Sequence, residues 1–307
     1  MFLNNKNLYK NKFYLIILLE MICHLHPYTI NHLRDAECIK YLGRGGFGEV
    51  KLYKCKDKVD GCSCNQIFVV KQIKYNKFKK TDLRKNLLNE YTIGTLLHHP
   101  CIRETLDVDL EDNSIIFEYC PGTDFLNLLK SDSLNNKDGI MYFKQLIDGI
   151  SYMHNIGIAH MDLKLENVLV DCITKKIKII DFGEARVFHD SLHISTIIPD
   201  KGLHGTLPYI APEEFDDNEY NPEKVDVWSC GIILYEIIYK TLPWYKANIT
   251  DNRYKKYLYN RSTNNCDSFL PHYPTRNLLL LMLNPNSDRR CHIEEVKANL
   301  NEVNELI

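Results

Sequence analysis

The sequence predicts an α+β chain built as two lobes, a small β-rich lobe followed by a larger helical one. Three observations carry that expectation. Short β-branched and aromatic runs separated by turn residues fill the stretch from about residue 36 to 120. Pro121-Gly122 then breaks the pattern. From about Asp124 onward the apolar residues recur at helical spacing, to about residue 305.

In chain order, Cys38–Leu42 reads as a strand, followed by a glycine-rich turn and a second strand at Glu49–Cys55. Lys58–Ser63 is turn-like, and Gln66–Ile73 is a third strand rich in β-branched residues. A helix is expected from about Thr81 to Leu97, ending at His98-His99-Pro100 because proline cannot continue it. Two strands follow, about Arg103–Leu110 and Ser114–Tyr119. Beyond the break, helices are expected at Lys137–Asn155, Val225–Tyr239, Arg276–Leu283 and Ile293–Val303, with a strand at Lys176–Ile180. A join near residues 119–123 would leave a cleft between the lobes, and clefts of that kind are preferred ligand sites.

The bulk composition narrows the field. A 307-residue chain that is 45% hydrophobic and 25% charged has the make-up of a soluble globular protein with a sizeable core. A formal net charge of −2 gives no nucleic-acid footprint. Eleven cysteines, an odd number, do not fit a fully paired disulfide framework, so reduced thiols and a cytoplasmic address are expected. Cys55, Cys62 and Cys64 fall near one loop but lack a good fourth ligand for zinc. In the extension formed by residues 1–35, Lys6, Lys10 and Lys12 precede the apolar run Phe13–Leu19. That order is like a short signal-peptide core, yet Glu20 interrupts it and no small-residue cleavage site follows. The run is too short to span a bilayer, so no stable membrane span is expected. A helix on the small lobe, a poorly ordered extension and a membrane-proximal or secretory role all remain open for it.

The chemistry-bearing motifs are more specific. Gly43-Arg44-Gly45-Gly46-Phe47-Gly48-Glu49-Val50 has the G-x-G-x-x-G spacing but leads into a strand, not a helix. That favours a flap whose backbone approaches phosphates closely over a dinucleotide site, with a plain hairpin turn as the bland alternative. Lys71 lies in the apolar run Val69-Val70-Lys71, and Glu90 on the following helix is a plausible partner that would restrain its flexible stem. The run His160-Met161-Asp162-Leu163-Lys164-Leu165-Glu166-Asn167, followed by Asp181-Phe182-Gly183, gathers a base, a phosphate-binding lysine and two oxygen ligands within about twenty residues. Phosphoryl transfer needs that equipment, since it asks mainly for alignment and charge neutralisation.

These motifs resemble the eukaryotic protein kinases of the serine/threonine type, and they cover about residues 36–305. The resemblance implies the bilobal protein-kinase fold, with a small lobe at about 36–120 and a large one at about 121–305. It implies ATP and Mg²⁺ as cofactors and protein substrates carrying serine or threonine acceptors. Lys71 would contact the α- and β-phosphates and pair with Glu90. The flap from Gly43 to Glu49 would cover the phosphates. The Glu118 carbonyl and the Cys120 backbone would bind adenine, with Phe117 at the rear of the pocket. Leu42, Val50 and Leu169 would sandwich the ring, and Asp124 would reach the ribose. Asp162 would accept the proton of the substrate hydroxyl, Lys164 would stabilise the transferring group, and Asn167 and Asp181 would hold Mg²⁺. Lys164 and the run Gly205–Glu213 favour the serine/threonine class. Thr206 would bond the catalytic aspartate and lysine, Glu213 would pair with Arg290 or else Arg289, and Asp226 would support the catalytic-loop backbone.

A narrower resemblance runs through Asn89–Pro100, Glu118–Asp124, Pro208–Phe215 and Val225–Ile233. It points to fungal transporter-regulating kinases of the halotolerance and nitrogen-permease-reactivator type. Three letters depart from the kinase pattern. Val69 replaces an alanine and should narrow the adenine pocket. Gly94 leaves a gap, or invites a neighbour to fill it. Met161 stands where an arginine usually pairs with a phosphate on the activation segment, and methionine cannot form that pair. Phosphorylation of Ser191, Ser195 or Thr196 is therefore not expected to be the main switch. The same departures support an alternative, a pseudokinase acting as a binding or scaffold module. A small-molecule kinase is a third reading, which the peptide-docking look of Thr206–Glu213 disfavours.

Overall fold

The computed structural model describes residues 36–45, 48–55, 67–73, 80–190, 193–216, 218–266, 269–270 and 275–301. Within them the chain is α+β and divides into two units by its internal contacts. The run at 13–19, Gly46, Phe47, Cys62, Cys64 and Ser191 lie outside the described residues.

The first unit takes the described residues up to His98 together with Glu104–Tyr119. Strands β1 (Ala36–Gly45) and β2 (Gly48–Cys55) form a hairpin, followed by β3 (Ile67–Ile73), helix α1 (Lys80–Leu96), β4 (Thr105–Asp109) and β5 (Ser114–Glu118). The five strands make one antiparallel sheet in the order β1-β2-β3-β5-β4. Strand alternation places Val69, Lys71 and Ile73 on one face of β3 and Phe68 and Val70 on the other. Val69 and Ile73 join Leu52, Leu87 of α1, Val108, Ile115 and Phe117 in a buried cluster. Phe68 and Val70 cluster with Ile116 on the opposite face. Lys71 is thereby carried into the apolar side of the sheet, beneath α1.

The second unit takes His99–Arg103 and the described residues from Cys120 onward. Its elements are β6 (Thr123–Asp124), α2 (Phe125–Lys130), α3 (Asn136–Asn155), β7 (Ile158–Ala159), β8 (Val168–Asp171) and β9 (Lys176–Ile179). There follow β10 (Arg186–Val187), β11 (His189–Asp190), β12 (His193–Ile197), α4 (Pro222–Tyr239), α5 (Asn252–Ser262), α6 (Arg276–Met282) and α7 (Ile293–Asn301). The strands form small antiparallel sheets, β6-β8-β9, β10-β7 and β11-β12. Asn221 caps α4 by accepting the Glu223 N–H, and Pro222 opens its first turn. Every α4 residue from Pro222 to Ile238 is buried, so this helix is the core of the unit and not an amphipathic surface helix.

Two differences from the sequence reading have physical causes. Residues 99–103 were expected in the first lobe but belong to the second unit. Ile102 bridges to Ile179, the Arg103 N–H donates to the Ile179 carbonyl, and the Ile179 N–H donates to the Cys101 carbonyl. Helix α5 was not anticipated. Its sequence is polar, and only Tyr254, Tyr257 and Asn260 are buried; the Asp251 side chain starts it by accepting the Arg253 and Tyr254 N–H groups.

Candidate active site

In the first unit, the Lys71 ammonium lies 2.8 and 3.0 Å from the two carboxylate oxygens of Glu90. Both residues are buried, at 8% and 3% exposure. A buried charge needs such a partner, and the pair turns a mobile lysine into a fixed positive point. Gly94, one turn beyond Glu90, resolves the expected gap: a Cβ there would stand 2.2 Å from Thr105 Oγ1, so Thr105 fills the space.

In the second unit, three side chains close a triangle. Thr206 Oγ1 donates to Asp162 Oδ1 at 2.9 Å. The Lys164 ammonium donates to Asp162 Oδ2 at 2.7 Å and to Thr206 Oγ1 at 2.8 Å. The Asn167 amide nitrogen donates to the Asp162 carbonyl at 2.8 Å, which leaves the oxygen of that amide as the atom for a cation. The Ile180 N–H donates to the Asn167 carbonyl at 2.9 Å, setting Asn167 beside the residue that precedes Asp181.

The loop carrying this triangle is held from beneath. Fully buried Asp226 accepts the N–H of His160 at 2.7 Å and that of Met161 at 2.9 Å, and lies 2.9 Å from His154 Nε2. Met161 has φ +67°, a left-handed conformation that costs a side-chain-bearing residue energy, and the two Asp226 contacts hold it there. His160 Nδ1 accepts the Asp162 N–H, so Nε2 carries the proton and donates to the Ile180 carbonyl at 3.0 Å. Gly205, at φ +82°, packs so closely that a Cβ would lie 2.7 Å from the Met161 carbonyl oxygen. Glu213 receives Arg290 through two bonds of 2.6 and 2.8 Å, and the guanidinium sits 4.9 Å above the Trp228 ring. Arg289 is exposed and takes no part in that pair.

Residues 36–300 match the family described as Protein kinase domain. The chain belongs to that family. This kinase domain is 37% identical over 230 residues to Serine/threonine-protein kinase PRR2 of Saccharomyces cerevisiae, covering 73% of the chain and 31% of that protein. It is 35% identical over 239 residues to the Nitrogen permease reactivator protein of the same yeast, covering 76% and 29%. To the yeast Serine/threonine-protein kinase HAL4/SAT4 it is 33% identical over 276 residues, covering 84% and 44%. The chain thus spans less than half the length of these relatives, of which the nitrogen permease reactivator and HAL4/SAT4 are of the type that its motifs resemble.

The remaining expected site residues of the kinase domain are placed as follows. Leu42 and Gly43 lie in β1 with the backbone of Arg44 and Gly45, while Gly48, Glu49 and Val50 open β2. Glu49 lies 3.4 Å from Lys51. Glu118 ends β5, and its side chain accepts the Glu104 N–H at 2.7 Å. Cys120 and Leu169 are half-buried. Asp124 has a role that sequence reasoning missed: it caps α2, accepting the Asn127 N–H at 2.9 Å and the Asn127 side chain at 2.6 Å. Asn167 and Asp181 offer hard oxygen donors of the kind Mg²⁺ takes beside phosphate oxygens, so the donor set fits that ion. Among the described residues no group of three His, Cys, Asp or Glu side chains is placed to hold a metal. Gly205 and His160 were also missed as site residues; the positive φ of the one and the ring bonds of the other leave no spacing signal.

Proposed function

We propose that this kinase domain transfers the γ-phosphoryl group of ATP to serine or threonine hydroxyls of protein substrates. The triangle of Asp162, Lys164 and Thr206 carries the reading. Asp162 accepts the proton of the attacking hydroxyl as its oxygen bonds to the γ-phosphorus and the bond to the β–γ bridging oxygen breaks, releasing ADP. Lys164, anchored by Asp162 and Thr206, presents a fixed positive charge to the transferring group. Lys71, held by Glu90, binds the α- and β-phosphates, beneath the glycine-rich hairpin. Adenine takes the backbone at Glu118 and Cys120, with Leu42, Val50 and Leu169 against the ring. Asn167 and Asp181 would hold Mg²⁺, which when bound neutralises charge on the phosphate oxygens.

Met161, Val69 and Gly94 give no support to a scaffold reading. Val69 packs in the sheet core, Gly94 receives Thr105, and Met161 is buried with its backbone held by Asp226. None of them removes a reacting group. The odd count of eleven cysteines fits a reducing, cytoplasmic setting. No helix among the described residues is long and apolar enough to cross a membrane.

The test is Mg²⁺-dependent transfer of phosphate from ATP to a generic serine/threonine protein, with Asp162→Asn as control. A loss of about a thousandfold, roughly 4 kcal/mol of transition-state stabilisation, is expected in the variant. Equal signal from both proteins would sink the assignment. Met161 adds that protein co-expressed with a phosphatase keeps its activity, and a large loss there would overturn that part alone.

A further inference from the structure

Four charged side chains from two stretches of the segment between Asp181 and Thr206 meet outside the catalytic triangle. Arg186 Nε lies 3.2 Å from Asp200 Oδ2, and Arg186 NH2 lies 3.4 Å from Glu184 Oε2. His204 stands between the same two carboxylates. Its Nδ1 is 3.4 Å from Glu184 Oε2 and its Nε2 is 3.5 Å from Asp200 Oδ2. Both ring nitrogens therefore face carboxylate oxygens. Nδ1 also stands 3.5 Å from Arg186 NH2, and Nε2 and Asp200 Oδ2 make no hydrogen bond, so the pull on the ring is electrostatic: a proton on it sets a positive charge between two carboxylates. With His204 protonated the four groups sum to zero charge, and with it neutral they carry a net −1.

This group is tied to the catalytic loop on two sides. Arg186 pairs with Ala159 in the β7–β10 ladder, directly before His160. His204 is followed by Gly205, which presses on the Met161 carbonyl and on Asp162, and then by Thr206. Asp200 is anchored in turn by backbone bonds exchanged with Tyr220. We propose that Glu184, Arg186, Asp200 and His204 form a charge-balanced clasp that positions Thr206 against Asp162 and Lys164, so that phosphoryl transfer is faster with His204 protonated. They are positioning residues, and the inference rests on the phosphotransfer reading above.

The groups facing His204 are Glu184, Arg186 and Asp200 through its ring, and Glu214, whose carboxyl accepts its backbone N–H at 3.2 Å. Tyr220 borders the same region through its hydroxyl on the Gly202 carbonyl. The bond to Glu184 holds the His204 pKa above the usual imidazole value, against the opposing effects of burial and of Arg186. The sign follows. The clasp is complete at and below about pH 6.5, the ordinary histidine value, and is lost as pH rises through the raised one.

The experiment measures kcat and KM for peptide phosphorylation from about pH 6 to 9 for the wild type, His204→Gln and Asp200→Asn, with Asp162→Asn as background. Wild-type kcat should fall on the alkaline side. His204→Gln should lower kcat about tenfold, leave the KM for ATP within about twofold, and abolish the alkaline limb. Asp200→Asn should shift that limb to lower pH. A His204→Gln enzyme with wild-type kcat and an unchanged limb would overturn the proposal. NMR titration of the His204 ring and the Thr206 methyl group needs no activity. The two should share one midpoint, which falls in Asp200→Asn, or in Glu184→Gln if the first variant does not fold. A Thr206 methyl signal indifferent to His204 protonation overturns the clasp. Absence of transfer above the Asp162→Asn background, with the shared midpoint intact, would instead overturn the phosphotransfer reading.

Discussion

Arg290 holds Glu213 by two parallel bonds of 2.6 and 2.8 Å, with its own side chain fully buried. The same guanidinium donates to the carbonyls of Lys224 and Asn284, so it joins the Glu213 segment, α4 and the loop after α6. Replacing Arg290 by methionine leaves Glu213 without its counter-charge and these carbonyls without donors. A loss of about 3 kcal/mol or more is expected, read by denaturant unfolding. Arg290→Lys should recover only part of it, because an ammonium cannot reproduce the fork. A methionine variant within 1 kcal/mol of wild type, on the order of a surface substitution, would contradict this account.

Thr206→Val removes one donor to Asp162 and one acceptor for Lys164 while keeping the shape of the side chain. The expected result is a fall in kcat of at least about tenfold with the KM for ATP little changed, because the bonds orient reacting groups and do not bind nucleotide. Steady-state kinetics decides it, and an effect confined to KM would point to a different role.

Asp181 has φ +67°, in the left-handed region that asparagine also tolerates. Asp181→Asn should therefore fold with a melting temperature close to wild type. It should need at least about tenfold more Mg²⁺ for half-maximal activity, since it gives up the charge that a hard cation favours. An unchanged Mg²⁺ requirement would remove Asp181 from the proposed metal site.

Gly94→Ala sets two effects against each other. Alanine favours a helix by about 1 kcal/mol over glycine. Its Cβ would, however, stand 2.2 Å from Thr105 Oγ1 and 3.0 Å from Thr105 Cβ, in a buried place where overpacking costs about 1–3 kcal/mol. Net destabilisation is expected. Adding Thr105→Ala should recover part of it, because the buried Thr105 hydroxyl has no hydrogen-bond partner to lose. A double variant no more stable than Gly94→Ala would mean that the strain lies elsewhere.

Glu214 gives a pH prediction. Its carboxyl is buried, accepts the Ala211 and His204 N–H groups, and is pushed by that burial up to about 8. A folded-state value raised above the unfolded one means that stability is full below the unfolded value and declines as pH rises through the folded one. Wild-type stability should fall by on the order of 3–4 kcal/mol between about pH 5 and 8 from this group. Glu214→Gln should start lower, having lost an acceptor, but vary less with pH. An undiminished slope in the variant would assign the effect to other groups.

The residues of the proposed site were legible because one stretch compresses them into local spacing: Asp162, Lys164 and Asn167 share a turn-rich loop, with Asp181 close behind. Lys71 and Glu90 were legible because a charged residue in an apolar run demands a partner. The strands of the first unit followed from β-branched periodicity. What the letters hid depends on distant pairing or on backbone state. Ile102 finds Ile179 far along the chain, and that ladder moves residues 99–103 into the second unit. Helix α5 hides because its buried face is only two tyrosines and an asparagine. The His204 clasp leaves no periodicity at all, since ion pairs formed across a folded-back segment can sit at any separation.

Met161 is 2% exposed, and its conformation is dictated by Asp226 from below and Gly205 from above. Its site has closed around an uncharged side chain. Met161→Arg would have to bring a guanidinium into that sealed space, at the cost of desolvating a charge. A single substitution is therefore a poor way to install arginine here: phosphate-dependent control through this position would need the neighbours of Met161 rebuilt with it.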